Sequence, residues 1–309
     1  MSVVGLCGAG VMGRAAAGKL RGNGYQIIAY DVAGTALARI ATMGAETAAT
    51  PAEVARLAET VLMFLPGPEE VASCVTGKTG LLSAARQGGT IVDMSTVDPA
   101  TTEAMAEAAS AQGVGYLDAP VLGRPESVGA WALPVGGDAQ TLERVRPVLE
   151  IVASAIYPMG ATGAGNRVKL LNQLMFGAIN AMTAEMMAIA HRMGLPPKLL
   201  YETITGSQAG TVSNLFKELG RRVAEDEYEN ATFTVNLLVK DVRLAADMAC
   251  RHGAPPLLTR SVEFINEAAQ VQGYGDADTA VMWKVLLKFW DKAPTNVNGT
   301  RVKKFPSTM

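Results

Sequence analysis

Two stretches of the chain carry residue types and spacings that could do chemistry. In GAGVMG, Gly8, Gly10 and Gly13 form G-x-G-x-x-G directly after the apolar run VVGLC, with Val11 and Met12 filling the variable positions. One glycine permits a tight turn, the second lets backbone approach a pyrophosphate, and the third lets helix and strand pack closely. The helix that starts there would turn free N–H groups and its positive end to the phosphates. Asp31 follows 18 residues after Gly13, near the distance expected for an acid that accepts ribose hydroxyls. Its charge would repel a 2′-phosphate, and Val32 and Ala33 offer no arginine to bind one, so NAD is expected rather than NADP.

The second stretch is GAGNRVKLLNQ, residues 163–173. Lys169, Asn172 and Gln173 stand at i, i+3 and i+4 and share one helix face. Gly163 and Gly165 precede the lysine at the helix start, where a ligand can approach closely. Near a helix N-terminus, beside a cationic nicotinamide in an apolar cleft, a lysine falls below its usual pKa of about 10.4. It is then suited to moving a proton to or from a substrate oxygen. Taken alone, the stretch reads equally well as a surface helix with a solvated lysine.

Other chemistries find little material. The two histidines, His191 and His252, fall late in helical patterns just before Gly194 and Gly253, where a structural role is expected. Cys7, Cys74 and Cys250 lack metal-like spacing, which fits a reducing compartment. No metal site is expected.

The elements that would position these residues alternate through the first half. Strands are expected at Val3–Cys7, Tyr25–Tyr30, Thr60–Leu65, Thr90–Met94 and Gly115–Leu117, the last leading into Asp118. Helical patterns lie between them at Val11–Asn23, Thr35–Met43, from Thr50-Pro51 onward, and at Pro99–Gln112, which implies parallel β-α-β units. From Gly165 onward strand patterns vanish. Helices are expected at Asn166–Met193, Lys198–Thr205, Thr211–Asp226, Thr234–Arg251, Leu257–Gln272 and Asp278–Lys292. The reading is an α/β Rossmann domain over residues 1–162, an all-α domain over 163–293 joined by a long helix, and a tail over 294–309.

Composition agrees. The chain has 309 residues, enough for two domains, and 49% are apolar. The formal net charge of -2 gives no basic surface for nucleic acid. No stretch of about 18 residues is apolar and uncharged, so no membrane partner is expected. The N-terminus enters a strand at once, leaving no room for a signal peptide, and a soluble cytoplasmic protein is expected.

In this frame the chain resembles the β-hydroxyacid dehydrogenase family, which includes 3-hydroxyisobutyrate dehydrogenase and tartronate semialdehyde reductase. The matching blocks are GLCGAGVMG, DMSTVDP at Asp93–Pro99, DAPVLGRPESVGAWALPVGGD at Asp118–Asp138, GAGNRVKLLNQ, and KDVRLA at Lys240–Ala245. The resemblance implies hydride transfer between a nicotinamide and a carbon bearing a hydroxyl. It places Lys169 as the acid and base, and Asn172 or Gln173 as the amide that holds the substrate or orients the lysine. Ser95 and Thr96 would contact the nicotinamide ribose, with Ser95 also facing substrate. Leu65 and Pro66 would line the cofactor cleft, and Lys240 would close over cofactor or substrate. The family's paired long helices imply a homodimer or homotetramer.

One departure stands out. Where the family reads DAPVSGG, this chain reads DAPVLGR, so Leu122, Gly123 and Arg124 occupy the substrate loop. The loop is also shorter before Gly129. A hydroxyl donor is lost and a guanidinium gained, which suits a small anionic substrate. Sulfolactaldehyde reductases of this family place an arginine in the same loop, and like this chain at Arg167 they carry arginine two places before the lysine. The alternatives are therefore a sulfonate- or phosphonate-aldehyde reductase, an imine reductase (against which Lys169 argues), and a non-catalytic NAD(H)-binding scaffold or sensor. Arg124 could equally face solvent or a neighbouring subunit.

Overall fold

Short apolar runs form the strands of one eight-stranded sheet. The computed structural model describes residues 2–207, 213–254 and 256–292. The strands are β1 (Val3–Cys7), β2 (Gln26–Tyr30), β3 (Glu46–Thr47), β4 (Thr60–Met63), β5 (Thr90–Asp93), β6 (Gly115–Asp118), β7 (Trp131–Gly136) and β8 (Ala153–Gly160). Their spatial order is β3-β2-β1-β4-β5-β6-β7-β8. Neighbours from β3 to β6 are parallel, β7 runs antiparallel to β6, and β8 is parallel to β7. The first six strands follow the Rossmann order, which reverses direction between β1 and β4.

Alternation along each strand feeds two cores. Val4, Leu6, Leu62, Val92 and Leu117 pack on one face of the sheet. Cys7, Ile28, Val61, Met63 and Ile91 pack on the other. Both faces are covered, so these strands lack the polar alternation of a half-exposed sheet. The covering helices are α1 (Val11–Arg21), α2 (Gly34–Thr42), α3 (Pro51–Leu57), α4 (Pro68–Thr76), α5 (Pro99–Ser110) and α6 (Ala139–Val152). Side-chain caps start several of them. Thr50 accepts from the Glu53 N–H, Asp98 from Thr101 and Asp138 from Thr141.

The helical part comprises α7 (Ala164–Arg192), α8 (Pro197–Gly206), α9 (Asn214–Ala224), α10 (Val235–Arg251), α11 (Leu257–Val271) and α12 (Met282–Lys292). Packing divides the chain into compact units Met1–Leu171 and Asn172–Met309, with the division inside α7. The core of the second unit gathers Ala184, Met187, Phe216, Leu219, Val235, Val239 and Met282. The histidines take structural places there. The His191 ring meets Trp283 edge-on at 5.6 Å, and His252 caps α10 with Nδ1 2.9 Å from the Met248 carbonyl oxygen. Among the described residues no cluster of His, Cys, Asp and Glu could hold a metal, and no helix is long and apolar enough to cross a membrane.

The Rossmann and all-α architecture is as expected, but β3, β7, β8, α4 and α6 were not among the expected elements, although Pro68 with Glu69 and Glu70 starts α4 and Asp138 caps α6. β3 has only two residues. β7 and β8 each contain a proline, Pro134 and Pro158, which reads against a strand interior. The sheet tolerates them because β7 registers with β6 only at Asp118↔Gly136, and β8 is an edge. The expected helix Thr211–Asp226 begins partly outside the described residues, and the tail 294–309 lies wholly outside them.

Candidate active site

The carboxyl ends of the parallel strands carry the nucleotide signature, where open α/β sheets bind ligands. Gly8 leaves β1 at φ +95°, and a Cβ there would lie 2.2 Å from the Phe64 carbonyl oxygen. A Cβ on Gly13 would lie 2.0 Å from the Gly8 carbonyl oxygen. Both positions must be glycine for the loop to close at all. Gly10 differs, since nothing lies within 4 Å of a Cβ built on it. It opens α1, whose N-terminus has no side-chain cap and no acid in its first turn. That leaves a positive helix end beside an open position, which fits a pyrophosphate. Val11 is exposed there, whereas Met12 packs on the core.

Asp31 has a second role that the spacing did not disclose. Its Oδ2 accepts the Ala9 N–H at 2.7 Å and its Oδ1 the Ala33 N–H at 2.8 Å. It therefore ties the glycine loop to the end of β2. A carboxylate has about four acceptor positions, so ribose hydroxyls can still be received. Val32 beside it is exposed.

Leu65 and Pro66 follow β4, and Ser95 and Thr96 follow β5. The Ser95 Oγ accepts the Leu65 N–H at 2.9 Å, and the Ser95 N–H donates to Asp93 Oδ1 at 2.9 Å. Tyr116 donates its hydroxyl to Asp93 Oδ2 at 2.9 Å. Burial pushes the Tyr116 hydroxyl well above its ordinary range, so it stays protonated and can donate. Ser95 is itself buried, and its oxygen is engaged in fixing the two loops to each other.

Asp118 ends β6 and holds the start of α7. Its Oδ1 accepts the Gly163 N–H and its Oδ2 the Asn166 N–H, each at 2.8 Å. The Asn166 side chain reaches on to the Val97 N–H and the Thr102 hydroxyl. The two glycines of GAG do not open a path for a ligand. A Cβ on Gly165 would lie 2.4 Å from the Pro134 carbonyl oxygen and 2.9 Å from Asp118 Oδ2, so that glycine admits the protein's own strands. Gly163 adopts φ +86°. Asp118 and Asn166 were not among the expected site residues. Asp118 stands at the end of a buried strand and opens the block DAPVLGRPESVGAWALPVGGD, and Asn166 lies inside GAGNRVKLLNQ, but neither block shows that the two residues meet.

Lys169 lies half-buried on α7, and its Nζ donates to the Val121 carbonyl at 2.9 Å. The next three residues are Leu122, Gly123 and Arg124, so the lysine and the departing loop are brought together. The loop backbone is firmly held. Leu122 pairs antiparallel with Ala132, and the Arg124 carbonyl accepts Trp131 Nε1 at 2.7 Å. A Cβ on Gly123 would lie 2.5 Å from Trp131 Cδ1. Arg167 pairs with Glu103 of α5 at 2.7 Å, which gives it a structural role.

Within the second unit, Gln173 donates Nε2 to Asp241 Oδ2 at 2.5 Å. Asn172 donates to Gln173 Oε1 at 3.2 Å, and Lys240 Nζ lies 2.6 Å from Asp241 Oδ1. Asp241, unmarked in the sequence beyond the KDVRLA block, is the buried centre of this group. Gln173 is buried with it, whereas Asn172 is exposed.

Comparison with known proteins adds an independent line. The family profile of the NAD binding domain of 6-phosphogluconate dehydrogenase matches residues 3–160. That of the NAD-binding domain of NADP-dependent 3-hydroxyisobutyrate dehydrogenase matches residues 163–286. The chain is 30% identical to 2-(hydroxymethyl)glutarate dehydrogenase of Eubacterium barkeri, covering 94% of this chain and 95% of that one. It is 29% identical to 3-sulfolactaldehyde reductase of Escherichia coli, covering 93% and 95%. The crystal structure of 3-hydroxyisobutyrate dehydrogenase from Salmonella typhimurium superposes with a TM-score of 0.86 at 29% identity, covering 92% of this chain and 100% of that one. The chain therefore belongs to the β-hydroxyacid dehydrogenase family and is an NAD(P)-dependent dehydrogenase or reductase.

Proposed function

We propose that this protein interconverts a small β-hydroxy acid and its semialdehyde with NAD, and that Lys169 is the general acid and base. The bound nicotinamide supplies and accepts the hydride. Lys169 protonates the carbonyl oxygen in reduction and takes the hydroxyl proton in oxidation. The observation that carries the reading is the 2.9 Å contact from Lys169 Nζ to the Val121 carbonyl, which fixes the ammonium at the head of the Leu122–Arg124 loop. A group held in place before substrate arrives loses little freedom in the transition state. With Gln173 committed to Asp241, Asn172 is the amide we assign to the substrate.

Arg124 supports a second reading, in which the substrate headgroup is a sulfonate or phosphonate. It stands on a loop whose backbone is pinned by Trp131, and one relative is a 3-sulfolactaldehyde reductase. A matched panel separates the two: NADH oxidation with malonate semialdehyde, sulfoacetaldehyde, phosphonoacetaldehyde and propanal. Preference for the carboxylate supports the first reading, and preference for the sulfonate or phosphonate supports the second. Turnover of propanal alone would contradict both.

NAD is preferred to NADP on this reading because the Asp31 carboxylate, at the end of β2, would repel a 2′-phosphate and Val32 and Ala33 offer no cation to bind one. Val32→Arg should then improve relative NADP affinity by about 10-fold, the effect of one charge-assisted contact. A homo-oligomer is supported by Met175, Met182 and Ile189, which repeat every seven residues along the exposed side of α7. Light scattering on the purified protein tests it.

A further inference from the structure

We propose that Asp118 is a positioning residue for catalysis: its carboxylate locks the start of α7 to the end of β6 and so sets Lys169 against the substrate loop. This rests on the assignment of Lys169 as acid and base. Helix α7 starts just after Gly163, which has no side chain with which to cap it. Asp118 supplies the cap from a different element, one oxygen to the Gly163 N–H and the other to the Asn166 N–H. Three residues after Asp118 along the chain, the Val121 carbonyl accepts from Lys169; three residues after Asn166 along the helix stands Lys169 itself. The closed path Asp118–Val121–Lys169–Asn166–Asp118 thus has hydrogen bonds at two corners and short covalent segments between them. Gly136 and Gly165 permit it, since a Cβ on either would lie 2.4 Å and 2.9 Å from the two carboxylate oxygens.

A helix cap alone does not call for a buried carboxylate, because Ser, Thr or Asn would serve. A carboxylate is needed to accept from both donors at once. The charge is costly where it stands. Burial, and secondarily the neighbouring Asp93, push the Asp118 carboxyl up to about 6, against the pull of the two N–H donors. The groups facing it are Asp93 on β5, Tyr116 on β6 with its hydroxyl on Asp93, the backbone of β7 at Gly136, and the first turn of α7, outside which Arg167 pairs with Glu103. Protonation replaces one acceptor oxygen with a hydroxyl that confronts an N–H. The cap is then half lost, and the lysine loses its fixed place.

The test uses full-length protein, wild type and Asp118→Asn, with two readouts. Hydrogen exchange followed by mass spectrometry needs no substrate: Asp118→Asn should accelerate exchange at the start of α7, and wild type should do the same, after correction for intrinsic rates, as pH falls through about 6. In kinetics with the best aldehyde of the panel, Asp118→Asn should lower kcat by about 100-fold while leaving the NADH KM nearly unchanged. The acid limb of the wild-type kcat profile near pH 6 should vanish in the variant. Wild-type kcat in Asp118→Asn, or an acid limb that persists in it, overturns the proposal and leaves the role of Lys169 standing. Full turnover in Lys169→Ala would instead remove the assignment on which it rests. Should Asp118→Asn fail to fold, wild-type exchange alone decides: protection at the start of α7 that is unchanged between pH 5 and 7.5 overturns it.

Discussion

Gln173 on α7 and Asp241 on α10 are joined by a side-chain hydrogen bond, and both are buried. Lys240 meets the second oxygen of the same carboxylate. Removing one member of such a group leaves the others unsatisfied in the interior. Asp241→Ala and Gln173→Ala should each destabilise the protein, and the double variant should lose less than the two combined, with a coupling of roughly 1–3 kcal/mol. Urea unfolding of the four proteins measures it. Strict additivity would mean that the contact contributes nothing.

The glycine loop makes a sharper contrast. Gly10 has φ -64° and open space around its Cβ position, so Gly10→Ala should fold with stability within about 0.5 kcal/mol of wild type. Its methyl would stand where the pyrophosphate must approach, and NADH affinity should fall by at least about 10-fold. Gly13→Ala should instead fail to accumulate as folded protein, because its methyl meets the Gly8 carbonyl. Thermal melts and NADH fluorescence titrations separate the two effects. Unchanged NADH binding in Gly10→Ala would argue against this loop as the phosphate cradle.

Asp118 has a thermodynamic signature as well. Its folded pKa of about 6 lies above the ordinary value of 3.8, so the unfolded chain ionises first. The group therefore favours folding most at low pH, and that contribution is lost as pH rises through about 6. Between about pH 7 and pH 5 the stability of wild type relative to Asp118→Asn should rise by roughly 1 kcal/mol. Denaturant melts at the two pH values check the sign, and a difference that moves the other way would contradict the burial of an ionised carboxyl.

Much of this architecture can be read from residue order. Gly8, Gly10, Gly13 and Asp31 are local signals, because a turn, a close approach and a strand end each demand a particular residue type nearby. Helices of the second unit are legible too, most clearly α9 and α10, whose buried residues recur at helical spacing. What escaped the sequence depends on contacts between distant residues. Asp118 and Asn166 are 48 positions apart, and Gln173 and Asp241 are 68 apart, so no window of sequence contains either pair. Gly165 was misread for the same reason: a glycine at a helix start looks like room for a ligand until Pro134 and Asp118 are seen to fill it. β7 and β8 were hidden by prolines that only their places in the sheet make tolerable.

The most direct measurement of the central claim is the turnover of Lys169→Ala in NADH-dependent reduction, with NADH affinity measured alongside. Loss of acid–base catalysis should lower kcat by about 10²–10⁴-fold. NADH should still bind, since the glycine loop and Asp31 lie elsewhere in the first unit. Turnover near that of wild type with intact NADH binding would contradict the role given to Lys169 and leave a nicotinamide enzyme whose proton donor lies elsewhere.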